Sequence, residues 1–257
     1  MRDLFRTVVF AAVATAVAAC TIAGGGATGP PSASGSPPAA NVSAVPGELD
    51  ALRYSCGRFP FEAALITAPA RTDEDAAAPF AAALRAHLAI PGPDTDFLPD
   101  HGWTLAGADA AGAEYVTLGG ELGMKCVSVE LGPAGWKVTG WGDCRPRLVL
   151  PPGVGDAEWT WGGPGAPGPG TRQFEALVSE MSCAGGQSPL GRILGPDVIA
   201  TADSVIVIFA VRQLGGAQTC PGIAPTRVAV DLGQALGNRT LLDGGRLPYG
   251  DPMVPTR

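Results

Sequence analysis

Apolar residues with helical spacing mark one segment in the first half of the chain. Phe80, Leu84 and Leu88 recur at every fourth position. This spacing places the three side chains on one face of a helix. The polar residues at 72–75 can cap the start of such a helix, and Pro91 stops it. We therefore predict a helix between these two limits.

Three segments that follow the helix have the composition of β-strands. They are 115–118, 124–131 and 136–141. The turn sequence Gly-Pro-Ala-Gly separates the last two, so that Leu131 pairs with Trp136 in a predicted hairpin. A slip of one residue would exchange the apolar and polar faces, so the register should be well specified. One helix followed by an antiparallel meander predicts an α+β domain, similar in layout to cystatin-like and nuclear transport factor 2-like folds.

The second half of the chain has no helical period and predicts strands. Strand patterns occupy 174–179, 204–211 and 226–232. The second of these contains the apolar sequence Val-Ile-Val-Ile-Phe, which is typical of a strand buried on both faces. Glycine pairs at 215–216 and 244–245 supply turns. We therefore predict an all-β, sandwich-like domain for this part of the chain.

The N-terminus has the pattern of a secretory signal. Arginines precede an apolar run at 7–17, which is shorter than the roughly 20 residues needed to cross a bilayer. The sequence Val-Ala-Ala-Cys at 17–20 resembles the lipobox of bacterial lipoproteins. This resemblance implies removal of the signal peptide 1–19 and attachment of acyl chains, palmitate among them, to Cys20. Two or more acyl chains hold a protein stably in a membrane. We therefore expect a lipid-anchored protein on the extracytoplasmic face of the cell membrane.

Segments rich in glycine, proline and small residues divide the rest of the chain. The predicted organisation is a lipidated, flexible tether at 20–47, an α+β domain at 48–161, a Gly/Pro linker at 162–170, a β-sandwich-like domain at 171–248 and a C-terminal tail at 249–257.

Several segments together resemble a family of uncharacterised secreted lipoproteins from GC-rich Gram-positive bacteria. The segments that carry this resemblance are 136–146, 177–183, 218–222 and 231–243. The resemblance covers nearly all of the mature chain and supports the architecture given above. It implies no activity and no catalytic residues.

Cysteine positions predict disulfide bonds. The chain has 6 cysteines, and five remain once Cys20 carries the lipid. Disulfides persist outside the cytoplasm, so five thiols can form two bridges and leave one free. Cys183 and Cys220 are the two cysteines of the second predicted domain, and we expect them to pair.

The hairpin register bears on the three cysteines of the first domain. Extending the register places Cys126 opposite Trp141, with Cys144 three residues further along and on the other face of the sheet. That separation exceeds the Cα distance that a disulfide spans. We therefore predict a Cys56–Cys144 disulfide and a free Cys126. A redox role for the Cys126 thiol is the alternative to simple packing beside a tryptophan.

Composition argues against several classes of function. The formal net charge is −7, and the chain holds 17 lysines and arginines and 2 histidines. A nucleic-acid-binding protein needs a basic face, and a histidine-rich metal site needs more imidazoles. Asp94, Asp96 and Asp100 lack the glycine of an EF-hand loop. We therefore expect no nucleic acid, no metal and no cofactor.

Short motifs of catalysis do not occur in the sequence. It contains no G-x-S-x-G, no H-E-x-x-H and no Walker sequence. We therefore predict a non-catalytic binding or envelope-associated lipoprotein. Its expected partners are the membrane, through the lipid, and an envelope protein or glycan that could stack on an outward-facing indole such as Trp141. The alternative is a secreted hydrolase that uses His101 with the nearby carboxylate of Asp100 or Asp96.

Overall fold

A computed structural model describes residues 52–67, 78–121 and 123–253. All of them belong to one unit, Pro37–Arg257. Strands account for 44% of the described residues and helices for 7%. The predicted signal peptide, lipidated Cys20 and most of the tether lie outside the described residues, as do the predicted capping residues at 72–75.

Thirteen strands and two helices make up the described fold. The helices are α1 (Ala64–Thr67) and α2 (Pro79–Leu88). The strands are β1 (Arg53–Ser55), β2 (Phe61–Glu62), β3 (Thr104–Ala108), β4 (Gly112–Leu118), β5 (Met124–Gly132), β6 (Gly135–Cys144), β7 (Arg147–Leu148), β8 (Val154–Trp161), β9 (Gln173–Glu180), β10 (Ile193–Ala200), β11 (Ser204–Arg212), β12 (Thr226–Asp231) and β13 (Thr240–Asp243).

An antiparallel sheet of four strands, in the order β3-β4-β5-β6, forms around the predicted hairpin. Helix α2 packs on one face of this sheet, where Leu84 meets Val127 and Val129 in a buried cluster. The helix starts at Pro79, whose fixed φ and missing N–H suit the first helical turn. The predicted helix is therefore confirmed.

A β-bulge changes the hairpin register away from the turn. Near the turn, Val129 pairs with Val138 as predicted. Past the bulge, Cys126 pairs with Gly142, and Trp141 pairs with Val127. The predicted pairing of Cys126 with Trp141 is therefore wrong. A bulge adds one unpaired residue to one strand, so every later side chain of β6 points to the face opposite to the one predicted.

A small antiparallel sheet, β2-β1-β7, lies between the two larger sheets. On one side, Tyr54 and Phe61 pack with Val116 and Met124, which lie on the face of the four-stranded sheet that α2 leaves uncovered. On the other side, Leu148 packs against three buried isoleucines of strands β10 and β11. The small sheet thus shares an apolar cluster with each of its neighbours.

The largest sheet has six strands and curls around its own core. Its order is β10-β11-β8-β9-β12, and β13 pairs in parallel with β11. All six strands contribute to one buried cluster that includes Trp159, Phe174 and Phe209. Strand β8 lies before the segment 162–170 and pairs with β9, which follows it. This segment therefore connects two neighbouring strands of one sheet.

The predicted fold class is wrong. The segment 48–161 was expected to form an α+β domain of one helix and a meander, but the described residues are mostly β and arranged in antiparallel sheets. Helix α2 has 10 residues and covers one face of one sheet. Short strands β1, β2 and β7 cover the other face, and their lengths of 2 or 3 residues are too short to give a sequence pattern. The expected sandwich is a single curled sheet.

Neither helix in the described ranges has the length and the apolar character required to cross a membrane.

Candidate functional site

Two disulfides join the cysteines of the described residues. Cys56 and Cys144 are bonded with a Cα–Cα distance of 5.8 Å, and Cys183 and Cys220 with 4.5 Å. Both distances lie in the usual range for disulfides. The loops that the bonds close span 88 and 37 residues. In the chain-entropy model each bond stabilises the fold by about 4 kcal/mol.

The Cys126 thiol lies beside the first of these disulfides. The sulfur atoms of Cys56, Cys126 and Cys144 all lie within 4.8 Å of one another. The β-bulge explains this closeness, because it places Cys144 on the same face of the sheet as Cys126. The sequence argument that put these two cysteines on opposite faces is therefore wrong, although the disulfide it led to is present and Cys126 is free.

A buried glutamate holds the loop that carries Cys56. Glu114 lies on β4 and is 1% exposed. Its Oε2 atom accepts hydrogen bonds from the backbone N–H groups of Arg58, at 2.9 Å, and Phe59, at 3.4 Å. A Cβ atom on Gly57 would lie 2.9 Å from the same oxygen, so the loop needs a glycine to approach this closely. The loop 56–59 is thus wrapped around one carboxylate.

Burial makes ionisation of the acidic groups in this cluster less favourable. Burial raises the pKa of Glu114, and the backbone hydrogen bonds to its carboxylate partly oppose this shift. The Oε1 atom of Glu114 is buried and has no hydrogen-bond partner in the described structure. Burial also raises the pKa of the Cys126 thiol, with smaller contributions from the negative charges of Glu114 and Asp143. The side chain of Cys126 is therefore a protonated thiol in the resting state.

Metal binding by the described residues would depend on the same three cysteines. Cys56, Cys126 and Cys144 are the group whose side-chain donors lie close enough together to share an ion. The disulfide occupies two of these sulfurs, which leaves one thiol as a ligand in the oxidised protein. The predicted candidates Asp94, Asp96 and Asp100 do not form such a group in the described part of the chain.

A cavity of about 190 Å³ opens beside the sulfur cluster. Its walls combine apolar side chains with two threonines and backbone groups, and close to half of the exposed wall is polar. The lining residues are Leu65, Ile66, Gly102, Thr104, Val116, Thr117, Leu118 and Met124. Helix α1 forms one wall and the ends of β4 and β5 form another. Val116 pairs with Cys126 in the sheet, so a residue that lines the cavity lies next to the sulfur cluster.

The predicted alternative for catalysis lies on the surface. His101 Nδ1 contacts the carboxylate of Asp100, and the two side chains are 88% and 87% exposed. This exposure leaves the imidazole in bulk solvent. Asp96 is engaged elsewhere, because its Oδ1 accepts a hydrogen bond from Gly92 N at 3.1 Å. The structure thus brings His101 and Asp100 together outside any enclosed site.

The tryptophans are used mainly for packing. Trp159 is buried and donates from Nε1 to the carbonyl of Val207 at 3.0 Å. Trp103 is buried and donates in the same way to Pro99 at 2.8 Å. Trp141 keeps 37% of its surface exposed, and its ring lies 4.8 Å from that of His87 on α2.

A second buried acid, which the sequence pattern did not single out, lies in the six-stranded sheet. Asp243 is 2% exposed and accepts hydrogen bonds from Gly245 N, at 3.0 Å, and Trp159 N, at 3.4 Å. Burial raises the pKa of Asp243 to about 7, and the nearby charge of Glu158 adds to this shift. The side chain sits where β8 and β13 separate along β11, and there it satisfies a backbone N–H that no neighbouring strand reaches.

Comparisons with models of protein families, with curated proteins and with solved structures find no significant match to this chain.

Proposed function

We propose that this protein is a non-catalytic, lipid-anchored binding protein on the extracytoplasmic face of the cell membrane. The lipobox sequence at 17–20 supports the anchor. The observation that carries the binding function is the cavity between α1 and the ends of β4 and β5. In this proposal the membrane is one partner, held through the lipid on Cys20, and an envelope component is the other. That component, an envelope protein or a glycan conjugate, would present a small uncharged group.

The size of the cavity limits what it can hold. Drug-sized ligands occupy about 300–1,000 Å³, and this cavity has about 190 Å³. An apolar cavity of about 150 Å³ is large enough for benzene. The cavity therefore fits one ring or the end of a short hydrocarbon chain. Because Thr104 and Thr117 are the polar side chains in the wall, an uncharged group is the best match.

A titration with benzene tests the cavity. We expect benzene to shift the methyl NMR signals of Ile66 and Met124, which line the cavity. The variant Ile66→Trp should fill the space and abolish the shifts. Leu190→Trp is the matched control, because Leu190 is 74% exposed and lies outside the cavity wall. Unchanged methyl signals in the unmodified protein at saturating benzene would contradict the proposal.

Metabolic labelling with a palmitate analogue tests the anchor. The full-length protein should incorporate the label and fractionate with membranes. The variant Cys20→Ser should do neither, because the residue that accepts the acyl chain is missing. Cys126→Ser, which removes the other unpaired cysteine, should keep the label. A wild-type protein that carries no label would disprove the anchor.

The hydrolase alternative depends on the contact between Asp100 and His101. A general base has to reach the proton it abstracts in a bound substrate, and this pair is exposed to solvent. If a hydrolytic activity is found, the variant His101→Ala decides the question. Full activity in that variant would remove the alternative, and loss of activity would favour it over the binding function.

A further inference from the structure

The free Cys126 thiol lies next to the disulfide between Cys56 and Cys144. Cys126 belongs to β5 and Cys144 to β6, so the ladder between these strands fixes both positions. Cys56 follows β1 and begins the loop 56–59. This loop packs on the face of the sheet that carries Glu114 and Cys126. All three sulfurs lie within 4.8 Å of one another. Cys56 therefore has two possible partners on neighbouring strands.

We propose that Cys126 exchanges with the Cys56–Cys144 disulfide, so that Cys56 switches its bond from Cys144 on β6 to Cys126 on β5. The structure assigns Cys126 the role of an internal nucleophile. Its partner in the reaction is the neighbouring disulfide of the same chain.

Sheet geometry selects Cys56 as the residue that changes partner. Cys126 pairs with Gly142, so Cys126 and Cys144 are diagonal neighbours on one face of the sheet. Diagonal positions on antiparallel strands have Cα atoms about 7–8 Å apart, which is longer than the 4.4–6.8 Å that a disulfide spans. A Cys126–Cys144 bond is therefore disfavoured. Cys56 lies on a loop, and a small movement of that loop brings it to either strand.

The exchange needs no external oxidant or reductant. The Cys126 thiolate attacks the sulfur of Cys56 and forms a Cys56–Cys126 bond, while the Cys56–Cys144 bond breaks. The electron pair of the broken bond stays on the Cys144 sulfur. The proton that Cys126 lost ends on Cys144, so the protein has one disulfide and one thiol before and after the step.

The buried carboxylate of Glu114 affects both the Cys56 loop and the Cys126 thiol. Glu114 accepts hydrogen bonds from the backbone N–H groups of Arg58 and Phe59. We expect these bonds to hold the far end of the loop while Cys56 moves between the two strands. Burial and the charge of Glu114 raise the pKa of Cys126, which keeps the thiol protonated and the exchange slow in the resting protein.

Removing one partner tests the proposal directly. In the variant Cys144→Ser we expect a Cys56–Cys126 disulfide, found by mass spectrometry of non-reduced peptides, and no free thiol among the described cysteines. Cys183→Ser is the matched control: it should leave Cys220 as a free thiol and the Cys56–Cys144 bond in place, because Cys220 has no third sulfur beside it in the described structure. A folded Cys144→Ser protein in which Cys56 and Cys126 both react with N-ethylmaleimide would overturn the proposal.

The unmodified sequence gives a second readout that does not depend on the folding of a variant. The full chain is held at mildly alkaline pH, quenched in acid and labelled with N-ethylmaleimide under denaturing conditions. We expect part of the label to move from Cys126 to Cys144, and a Cys56–Cys126 peptide to appear with it. In Cys126→Ser no label should reach Cys144. Label confined to Cys126 in the unmodified chain would overturn the exchange.

Discussion

The side chain of Asp243 shows how the fold can use an acid as a neutral hydrogen-bonding group. Its carboxyl group completes the hydrogen bonding of Trp159 N and Gly245 N at the point where two strands separate. Arg246 lowers the pKa of Asp243, but this is the smallest contribution, and burial outweighs it. The pKa of Asp243 rises to about 7 as a result. At pH values below about 7, Asp243 is thus mostly protonated in the folded protein.

We predict that the free energy of unfolding falls as the pH rises from about 4 to about 7. In this window the folded state holds a proton on Asp243 that the unfolded state has lost, so each added unit of pH favours unfolding. A shift of three pKa units corresponds to about 4 kcal/mol at most. In Asp243→Asn this contribution should disappear, because the amide does not titrate in this range. The amide keeps one of the two acceptor oxygens, so the variant is also expected to be less stable at every pH. Urea denaturation at a series of pH values measures the difference between the two proteins.

Asp197→Asn serves as the control for this measurement. Asp197 is exposed on β10, so its substitution should leave the pH dependence of unfolding as it is in the wild type. If Asp243→Asn shows the same slope between pH 4 and 7 as the wild type, the buried acid does not hold its proton in the folded state.

The hairpin of β5 and β6 could be predicted from the sequence only in part. The turn and the pairs next to it follow from alternating apolar and polar residues, and the structure confirms them. The bulge beyond Val138 could not be predicted, because Thr139 and Gly140 fit a continuous strand as well as an interrupted one. This one residue decides that Trp141 faces α2 and that Cys144 lies beside Cys126. The sulfur cluster was therefore hidden from sequence reasoning.

Other elements differ in how clearly the sequence marks them. Helix α2 was visible because Phe80, Leu84 and Leu88 repeat with its period. Strand β10 was missed because Gly195 and Pro196 interrupt its pattern, at the place where its pairing with β11 is irregular. Glu114 was missed for a different reason: the contacts that make it important come from a loop more than 50 residues earlier in the chain.

We predict that Leu84→Ala destabilises the protein by about 2–4 kcal/mol. Leu84 is buried between α2 and the hairpin, where it packs with Val127 and Val129. Its truncation removes apolar contacts and leaves a cavity that the strands are too constrained to fill. Ile90→Ala, two residues after α2, is the control, because Ile90 is 63% exposed and its substitution should change stability by less than about 0.5 kcal/mol. Equal losses in the two variants, measured by urea denaturation, would mean that α2 does not depend on the sheet.

One loop reaches from the largest sheet to the small one, where it exchanges backbone hydrogen bonds with the residues around β7. The loop 243–250 is closed by two backbone hydrogen bonds between Asp243 and Gly250, each of 2.8 Å. A Cβ atom on Gly244 would come within 2.5 Å of Ile206, so a glycine lets the loop pass directly over β11. From there Leu247 enters the cluster of Tyr54 beneath the four-stranded sheet. Residues from the first and the last described segments thus pack in one cluster.

The hydroxyl group of Tyr54 supplies the polar part of this contact. It donates a hydrogen bond of 2.8 Å to the carbonyl of Gly244, although 190 residues separate the two in sequence. Tyr54 is fully buried, and burial raises the pKa of its phenol, so the group stays protonated and remains a donor. The ring packs edge-on against Tyr249 of the same loop, with centroids 6.4 Å apart. One side chain therefore joins β1 to the loop through both packing and a hydrogen bond.

We predict that Tyr54→Phe lowers the free energy of unfolding by about 1–3 kcal/mol. The variant keeps the ring and leaves the Gly244 carbonyl without its buried donor, which is the costly way to lose a hydrogen bond. Gln173→Ala is the control, because it breaks an exposed hydrogen bond to Asp231 and should cost less than about 0.5 kcal/mol. Amide hydrogen exchange separates a local effect from a global one. If Tyr54 couples the sheets, protection should fall in β1 and β13 together, whereas a loss confined to β1 would show that these two strands are stabilised independently.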